Sequence, residues 1–161
     1  MMRSFRIRYI TLSLCIIVLT VIIDQFTKYL ALHKLDISLP ITCFFSLTLS
    51  LNKGVSFGMF NHPETNQVIL VILSLSILIG LIWTMDSRTI IPYSLISGGA
   101  IGNIIDRLRI GAVVDFFHLY YDHYHFPIFN VADVAISLGC IILLLFELIQ
   151  SRQNQPDTKR T

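Results

Sequence analysis

Charge is scarce in this chain. Asp, Glu, Lys and Arg make up 14% of its 161 residues while hydrophobic residues make up 54%, and an average soluble domain carries about 25% charged residues. Mean hydropathy is +0.71. A single soluble core of this length has too little interior to hide so much apolar surface, so an integral membrane protein is expected. The net charge of +2 lacks the strongly basic footprint of a nucleic-acid-binding protein. Cysteine is also sparse. Cys15, Cys43 and Cys140 are odd in number, with no CxxC spacing, which argues against a disulfide framework. Cys15 and Cys140 fall inside apolar runs, as small hydrophobes. No HExxH is present, so the common helical zinc-protease site is absent. No cofactor and no metal are expected.

What the chain does have is long charge-free intervals that read as spans, at residues 9–23, 65–85, 89–105 and 134–146. A spanning helix needs about 20 largely apolar residues. Two intervals reach that length only if Asp24, Asp133 and Glu147 are drawn into helix ends, which puts Asp24 and Asp133 at membrane depth. The spans predicted are about 9–30, 66–85, 89–107 and 131–149. Arg3, Arg6 and Arg8 before the first run resemble the start of a signal peptide. No small-x-small cleavage site follows, and an uncleaved helix is the preferred reading. With the N-terminus inside, the cytoplasmic segments hold Arg3, Arg6, Arg8, Arg88, Arg152, Lys159 and Arg160. The outer segments hold Lys28, Lys34, Lys53, Arg107 and Arg109. The basic excess predicts an N-in, C-in topology.

The fold class expected is therefore a mainly α membrane protein of four transmembrane helices, forming one domain over residues 1–161. A small β-rich extracytoplasmic segment lies over the membrane surface. The outer segments are about 31–64, where residues 41–50 alternate apolar and polar as strands do, and about 108–130. The tail at 151–161 is polar and reads as disordered.

Polar residues collect at the predicted outer helix ends. Asp24 and Lys28 share a helix face, four residues apart. Asn103, Asp106 and Arg107 share another. Asn130 and Asp133 open the fourth span, and Asp115 falls in the loop after the third. Taken singly these are interfacial anchors or caps, with Asn130 an ordinary N-cap. Taken together, and with no matching cluster on the inner side, they suggest a built site. Gly98 and Gly102 have the small-xxx-small spacing of closely packed membrane helices. Gly54 and Gly58 read as turn positions.

Ser56 and Ser97 have no obvious basic partner, although Lys28 or Lys53 could in principle serve. His118, His123 and His125 in the second outer segment match no usual metal spacing and read as solvated histidines among interfacial tyrosines. Carboxylates remain. Two carboxyls a few ångströms apart cannot both ionise cheaply, so one keeps a proton while the other activates water. Residue chemistry leaves the pair open among Asp24, Asp106, Asp115 and Asp133. Asp106 precedes Arg107 and Asp24 has Lys28, whereas Asp115 and Asp133 have no adjacent cation and are the better candidates. Rival readings are a small proton-coupled carrier using the four aspartates as a relay, and a structural or assembly membrane protein with no dyad. The almost purely apolar inner halves of the spans disfavour the carrier.

Four blocks carry a family resemblance: Asp24-Gln25-Phe26-Thr27-Lys28, Asn52-Lys53-Gly54-Val55-Ser56-Phe57-Gly58, the run from Gly98 to Asp115-Phe116, and Phe129-Asn130-Val131-Ala132-Asp133. The chain resembles the bacterial lipoprotein signal peptidases, the type II signal peptidases. The resemblance implies an aspartic endopeptidase of the bacterial inner membrane, with its active site at the outer face. Its substrate would be a prolipoprotein cut before a diacylglyceryl-bearing cysteine; membrane lipid and no nucleic acid would surround this monomer. It puts the catalytic pair on Asp115 and Asp133 and supporting roles on Asp24, Lys28, Asn52, Gly54, Asn103, Asp106, Arg107 and Asn130. Val55 and Ser56 stand where the family usually has small residues, often alanines.

Overall fold

In the computed structural model of the chain, residues 2–36, 38–54, 63–86 and 88–153 are described. Val55, Ser56, Phe57 and Gly58 of the second block, and the tail beyond Gln153, lie outside the described residues. Four long helices form: α1 (Met2–Lys34), α2 (Pro63–Thr84), α3 (Ile90–Ile110) and α4 (Val131–Gln153). Their 33, 22, 21 and 23 residues correspond to about 50, 33, 32 and 35 Å, against a hydrocarbon core of about 30 Å.

Among the described residues, three helices are long and apolar enough to cross a membrane: Arg8–Lys34, Gln67–Thr84 and Val131–Arg152. Their outward residues are apolar, including Ile22, Phe26, Ile72, Leu73, Ile82, Leu144 and Leu145, while Ser13, Thr20, Asp24 and Lys28 are buried. Apolar outside and polar inside is the arrangement lipid demands. The third predicted span, α3, does not reach the apolarity of the others. It packs against α1, α2 and α4, and its buried residues include Ser94, Ser97, Gly98, Gly99, Gly102, Asn103 and Asp106. A helix wrapped in protein has no need of a lipid-facing surface all round.

Helix ends differ from expectation in two places. α1 runs on to Lys34, into the segment expected to be extracytoplasmic from residue 31, with His33 and Lys34 in its last turn, where cations complement the helix dipole. α4 continues through Ser151 and Arg152 to Gln153, so the start of the expected disordered tail is helical. No proline interrupts it before Pro156.

The sheet is antiparallel, in the order β1 (Ser38–Thr42), β2 (Phe45–Asn52), β3 (Val113–Tyr121), β4 (Tyr124–His125). The expected strands at 41–50 correspond to the end of β1 and most of β2. The expected loop at Asp115 is corrected: Asp115 is the third residue of β3. Its neighbours Val113, Val114, Phe116 and Phe117 are the β-branched and aromatic residues that suit a pleated, half-buried strand. Gly111 makes this strand possible. It caps α3 in the left-handed region (φ 69), its N–H bonding Arg107 O, and a left-handed turn here favours glycine. Ala31, Val114 and Phe116 then form a buried cluster with Leu35, Leu47, Leu49, Phe117 and Val131 packed against it. Full burial of side chains such as Val114 and Phe116 stabilises by about 1.5–3 kcal/mol each, and it seats β3 on the end of α1.

Candidate active site

Asp115 reaches its position by register. Ser50 of β2 lies opposite Asp115, and Asn52 lies opposite Val113. Residues two apart share a sheet face, so Asn52 is the diagonal neighbour of Asp115. Its Nδ2 donates to Asp115 Oδ2 at 2.9 Å. Asn52 Oδ1 in turn accepts from Gly54 N at 2.8 Å, and Gly54 turns at φ 70. Gln67 of α2 donates to Lys53 O at 2.7 Å, tying this turn to the helix bundle. From the other side Phe129 pairs with Phe117. That bridge brings Asn130 beside Asp115, where its Nδ2 donates to Asp115 Oδ1 at 2.6 Å. Both oxygens of Asp115 are thus held by neutral amides, and the side chain is 1% exposed.

Asp133 is placed by the start of α4. Asn130 Oδ1 accepts from Asp133 N at 2.9 Å, and Asp133 Oδ2 accepts from Asn130 N at 3.3 Å. This is a reciprocal capping box, with Asn130 as N-cap and Asp133 three residues on. The N-cap reading of Asn130 and the site reading are therefore the same fact: its amide oxygen caps the helix while its NH2 holds Asp115. Asp133 Oδ1 accepts from Asn103 Nδ2 at 2.9 Å. Asp133 is only half-buried, so it is the more open of the two carboxylates.

Behind this pair lies a second polar cluster built on Lys28, which is 2% exposed. Its ammonium sits 2.9 Å from Asp24 Oδ2 and 2.9 Å from Asp106 Oδ2, and it donates to Asn103 Oδ1 at 2.9 Å. The three donors of the ammonium therefore have three acceptors. Lys28 also fixes which way the Asn103 amide points. With Oδ1 facing the ammonium, Nδ2 must face Asp133. Asp24 Oδ1 meanwhile accepts from Ala132 N at 2.9 Å, satisfying another free N–H at the start of α4. Asp106 Oδ2 accepts from Val114 N at 3.1 Å, tying α3 to the strand that carries Asp115.

The sequence reading pairs Asp106 with its neighbour Arg107. The structure instead gives it Lys28, because Asp106 faces α1. Arg107 is half-buried, and its Nε is buried without a hydrogen-bond partner among the described residues. Sequence reasoning missed Gln25 as a site residue. Its Nε2 contacts Asp106 Oδ1 at 3.0 Å, Asp24 Oδ2 at 3.2 Å and Gly102 O at 3.2 Å. Its place beside Asp24 in the first block was the only signal, since its partners on α3 lie about 80 residues away.

The glycine spacing on α3 has a direct cause. A Cβ at Gly102 would collide with the Asp24 carboxylate, and one at Gly98 would sit 2.7 Å from Thr20 Cβ. Hydrogen at these positions lets α1 approach until Lys28 reaches Asp106 and Asn103. Residues 54–58 also spell Gly-x-Ser-x-Gly, the pattern of a serine-hydrolase elbow. Such an elbow sits on a strand-to-helix turn, and Ser56 lies outside the described residues.

Burial pushes the Asp115 carboxyl up to about 6; the amides of Asn52 and Asn130 oppose the shift, and the nearby Asp133 carboxylate adds to it. A carboxyl that keeps its proton near neutrality beside a more open one can donate a proton while its partner activates water.

Fold and site together define a membrane protease of the aspartic class. Comparison with known proteins agrees. The family model described as signal peptidase (SPase) II matches residues 16–149. The lipoprotein signal peptidase of Rickettsia bellii is 41% identical over 155 residues, covering 89% of this chain and 79% of that protein. That of Clostridium tetani is 41% identical, covering 84% of this chain and 91% of that protein. A bacterial membrane enzyme solved by the in meso method at 2.3 Å superposes with TM-score 0.77 and 31% identity, covering 94% of this chain and 96% of the other. The chain belongs to the signal peptidase II family.

Proposed function

We propose that this protein is an intramembrane aspartic endopeptidase that removes the signal peptide from diacylglyceryl-modified prolipoproteins, cutting just before the lipid-bearing cysteine. The observation that carries the reading is the double role of Asn130. One side chain caps α4, so that it positions Asp133, and donates to Asp115 at 2.6 Å.

In this mechanism the pair shares one proton, which resides on Asp115 in the substrate-free site because that side chain is the more deeply buried. Ionised Asp133 takes a proton from a water as the water attacks the scissile carbonyl. Asp115 donates to the developing oxyanion. A proton then passes to the leaving amine as the C–N bond breaks, and the pair returns to its singly protonated form. Asn52, Asn103 and Asn130 hold the carboxylates, while Asp24, Lys28 and Asp106 hold the asparagines and the end of α4. Arg107 supplies positive potential beside the pair, and Gly54 shapes the turn that carries Asn52.

All four helices cross the membrane in this reading, N-in and C-in, as one domain, with the sheet at the outer face of the bacterial inner membrane. A lipid-modified substrate arrives sideways through the bilayer. Its acyl chains lie against apolar helix walls and its scissile bond sits near the outer interface, where the aspartates are. The protein acts as a monomer, and its cleavage step uses no metal. Against a proton-coupled carrier, the hydroxyl pair Ser13–Ser94 joins α1 and α3 in the inner half at 2.8 Å, and hydroxyls offer no ionisable relay.

The test is cleavage of a purified diacylglyceryl prolipoprotein beside the same precursor without lipid. The expected result is release of the signal peptide from the lipidated precursor alone. Asp115→Asn or Asp133→Asn should lower the rate by about 10²–10⁴-fold, the range for loss of a general acid or base. Equal cutting of both precursors contradicts the substrate; undiminished cutting by either variant contradicts the dyad.

A further inference from the structure

Two histidines that sequence spacing leaves as solvated residues meet on the outer sheet. Tyr120 of β3 pairs with His125 of β4, and His118, two residues before Tyr120, shares that face. The His118 and His125 rings lie 5.1 Å apart at 21°, with His118 Nε2 3.1 Å from His125 Nδ1. The second nitrogen of His118, Nδ1, faces Ser46 Oγ at 3.4 Å, and Ser46 Oγ bonds Thr48 Oγ1 at 3.0 Å. His125 is exposed and His118 half-buried, so the pair lies at the surface of the sheet.

The nitrogen separation suits a chelate. Zinc–imidazole bonds of about 2.0–2.1 Å to two nitrogens 3.1 Å apart subtend roughly 95–102° at the metal, between octahedral and tetrahedral angles. Ring centroids would then lie about 4.8 Å apart, against about 5.4 Å for a straight ring-to-ring hydrogen bond. The observed 5.1 Å lies between the two, so a small ring rotation converts one into the other.

We propose that His118 and His125 chelate a borderline transition-metal dication, Zn²⁺ or Cu²⁺, through His118 Nε2 and His125 Nδ1. Imidazole suits both metals. Among the described residues no group of three or more His, Cys, Asp and Glu side chains could hold a metal, so water completes the coordination. Ser46 Oγ accepts the His118 Nδ1–H and fixes that tautomer, as second ligands of metal-bound histidines do. The proton that lies between the rings in the metal-free pair moves to His125 Nε2, which faces solvent. Binding to the neutral pair therefore releases no proton, and acidification weakens it because both rings must be unprotonated. The bound ion would pin the short β4 onto β3.

The experiment is titration of the full chain in detergent with CuCl₂ and ZnCl₂. Readouts are binding heat, nitrogen hyperfine splitting in the Cu²⁺ spectrum, and the thermal midpoint. Expected are one saturable site with two imidazole nitrogens and a raised midpoint, since a ligand of the native state stabilises it. His118→Ala and His125→Ala should each abolish that site while His33→Ala and His123→Ala keep it. Ser46→Ala should weaken it by about tenfold, the low end of the usual range because the contact is long. Prolipoprotein cleavage by every variant reports that the fold is intact. Saturable binding that survives both His118→Ala and His125→Ala, or absence of binding to the parent chain, overturns the proposal.

Discussion

Two groups of aspartates sit at the same end of the bundle, and they are held in opposite ways. Asp24 and Asp106 share the ammonium of Lys28, at 2.9 Å from each. Asp115 and Asp133 are held by the amides of Asn52, Asn103 and Asn130 and by a backbone N–H. An ammonium neutralises a carboxylate and fixes it as a brace. Amides orient a carboxylate without cancelling its charge, leaving it free to trade a proton. In the proposed mechanism the difference separates the parts that hold the frame from the parts that do the chemistry, and Asn103 joins them, accepting from Lys28 and donating to Asp133.

Removing the brace should have the largest effect on stability. Lys28→Met keeps the bulk and leaves two buried carboxylates without their cation, so a loss of about 3–5 kcal/mol is expected, the usual cost of breaking a buried ion pair from one side. Denaturant unfolding in detergent measures it; a loss below about 1 kcal/mol would mean that the cluster is not a brace. Asn103→Ala cuts the link instead. Its loss leaves Asp133 Oδ1 and one Lys28 donor unsatisfied, so cleavage should fall by about 10–100-fold, the kinetic equivalent of about 1.4–3 kcal/mol. An unchanged rate would show the two clusters to be independent. Gly102→Ala pushes the Asp24 carboxylate and should destabilise by about 1–3 kcal/mol, seen as a lower thermal midpoint.

The next effect is on the dependence of stability on pH. Folded Asp115 holds its proton up to about 6, more tightly than an unfolded chain does at about 3.9. Its contribution therefore favours the fold fully below about pH 4 and is lost as pH rises through about 6. Asp115→Asn has no such loss, so its thermal midpoint relative to the parent should rise from about pH 4 to 7 and then level off. A pH-independent difference would show that Asp115 is not buried as its surroundings imply. The smallest effect expected is none: EDTA should leave cleavage unchanged, because in the proposed mechanism carboxylates activate the water. Strong inhibition would bring a metal into the chemistry.

The polar cluster at the helix ends was legible in the sequence because ionisable residues are rare in apolar runs. The Asp24–Lys28 face, the Gly98/Gly102 spacing and the Asn130 cap followed from helical periodicity. What could not be read depends on distant partners. Lys28 reaches across to α3, 75 residues away in sequence, and nothing beside it foretells Asp106. Asp115 looked like a loop residue because a short strand after a glycine turn has no long periodic signal. The turn at Gly111 and pairing with β2 made it a strand. His118 and His125 match no ligand spacing along the chain and meet only across the β3–β4 pairing. α3 falls short of the apolarity of the other three helices because a helix packed among its neighbours keeps serines, glycines and an aspartate.

The most direct test sets activity against stability in the two groups on the same purified preparations. Asp133→Asn should cut prolipoprotein cleavage by about 10²–10⁴-fold with a thermal midpoint close to the parent. Asp24→Asn should lower the midpoint far more than Asp133→Asn does. If Asp133→Asn still cleaves at the parental rate while remaining folded, the division between a charge-paired brace and an amide-held catalytic pair is wrong.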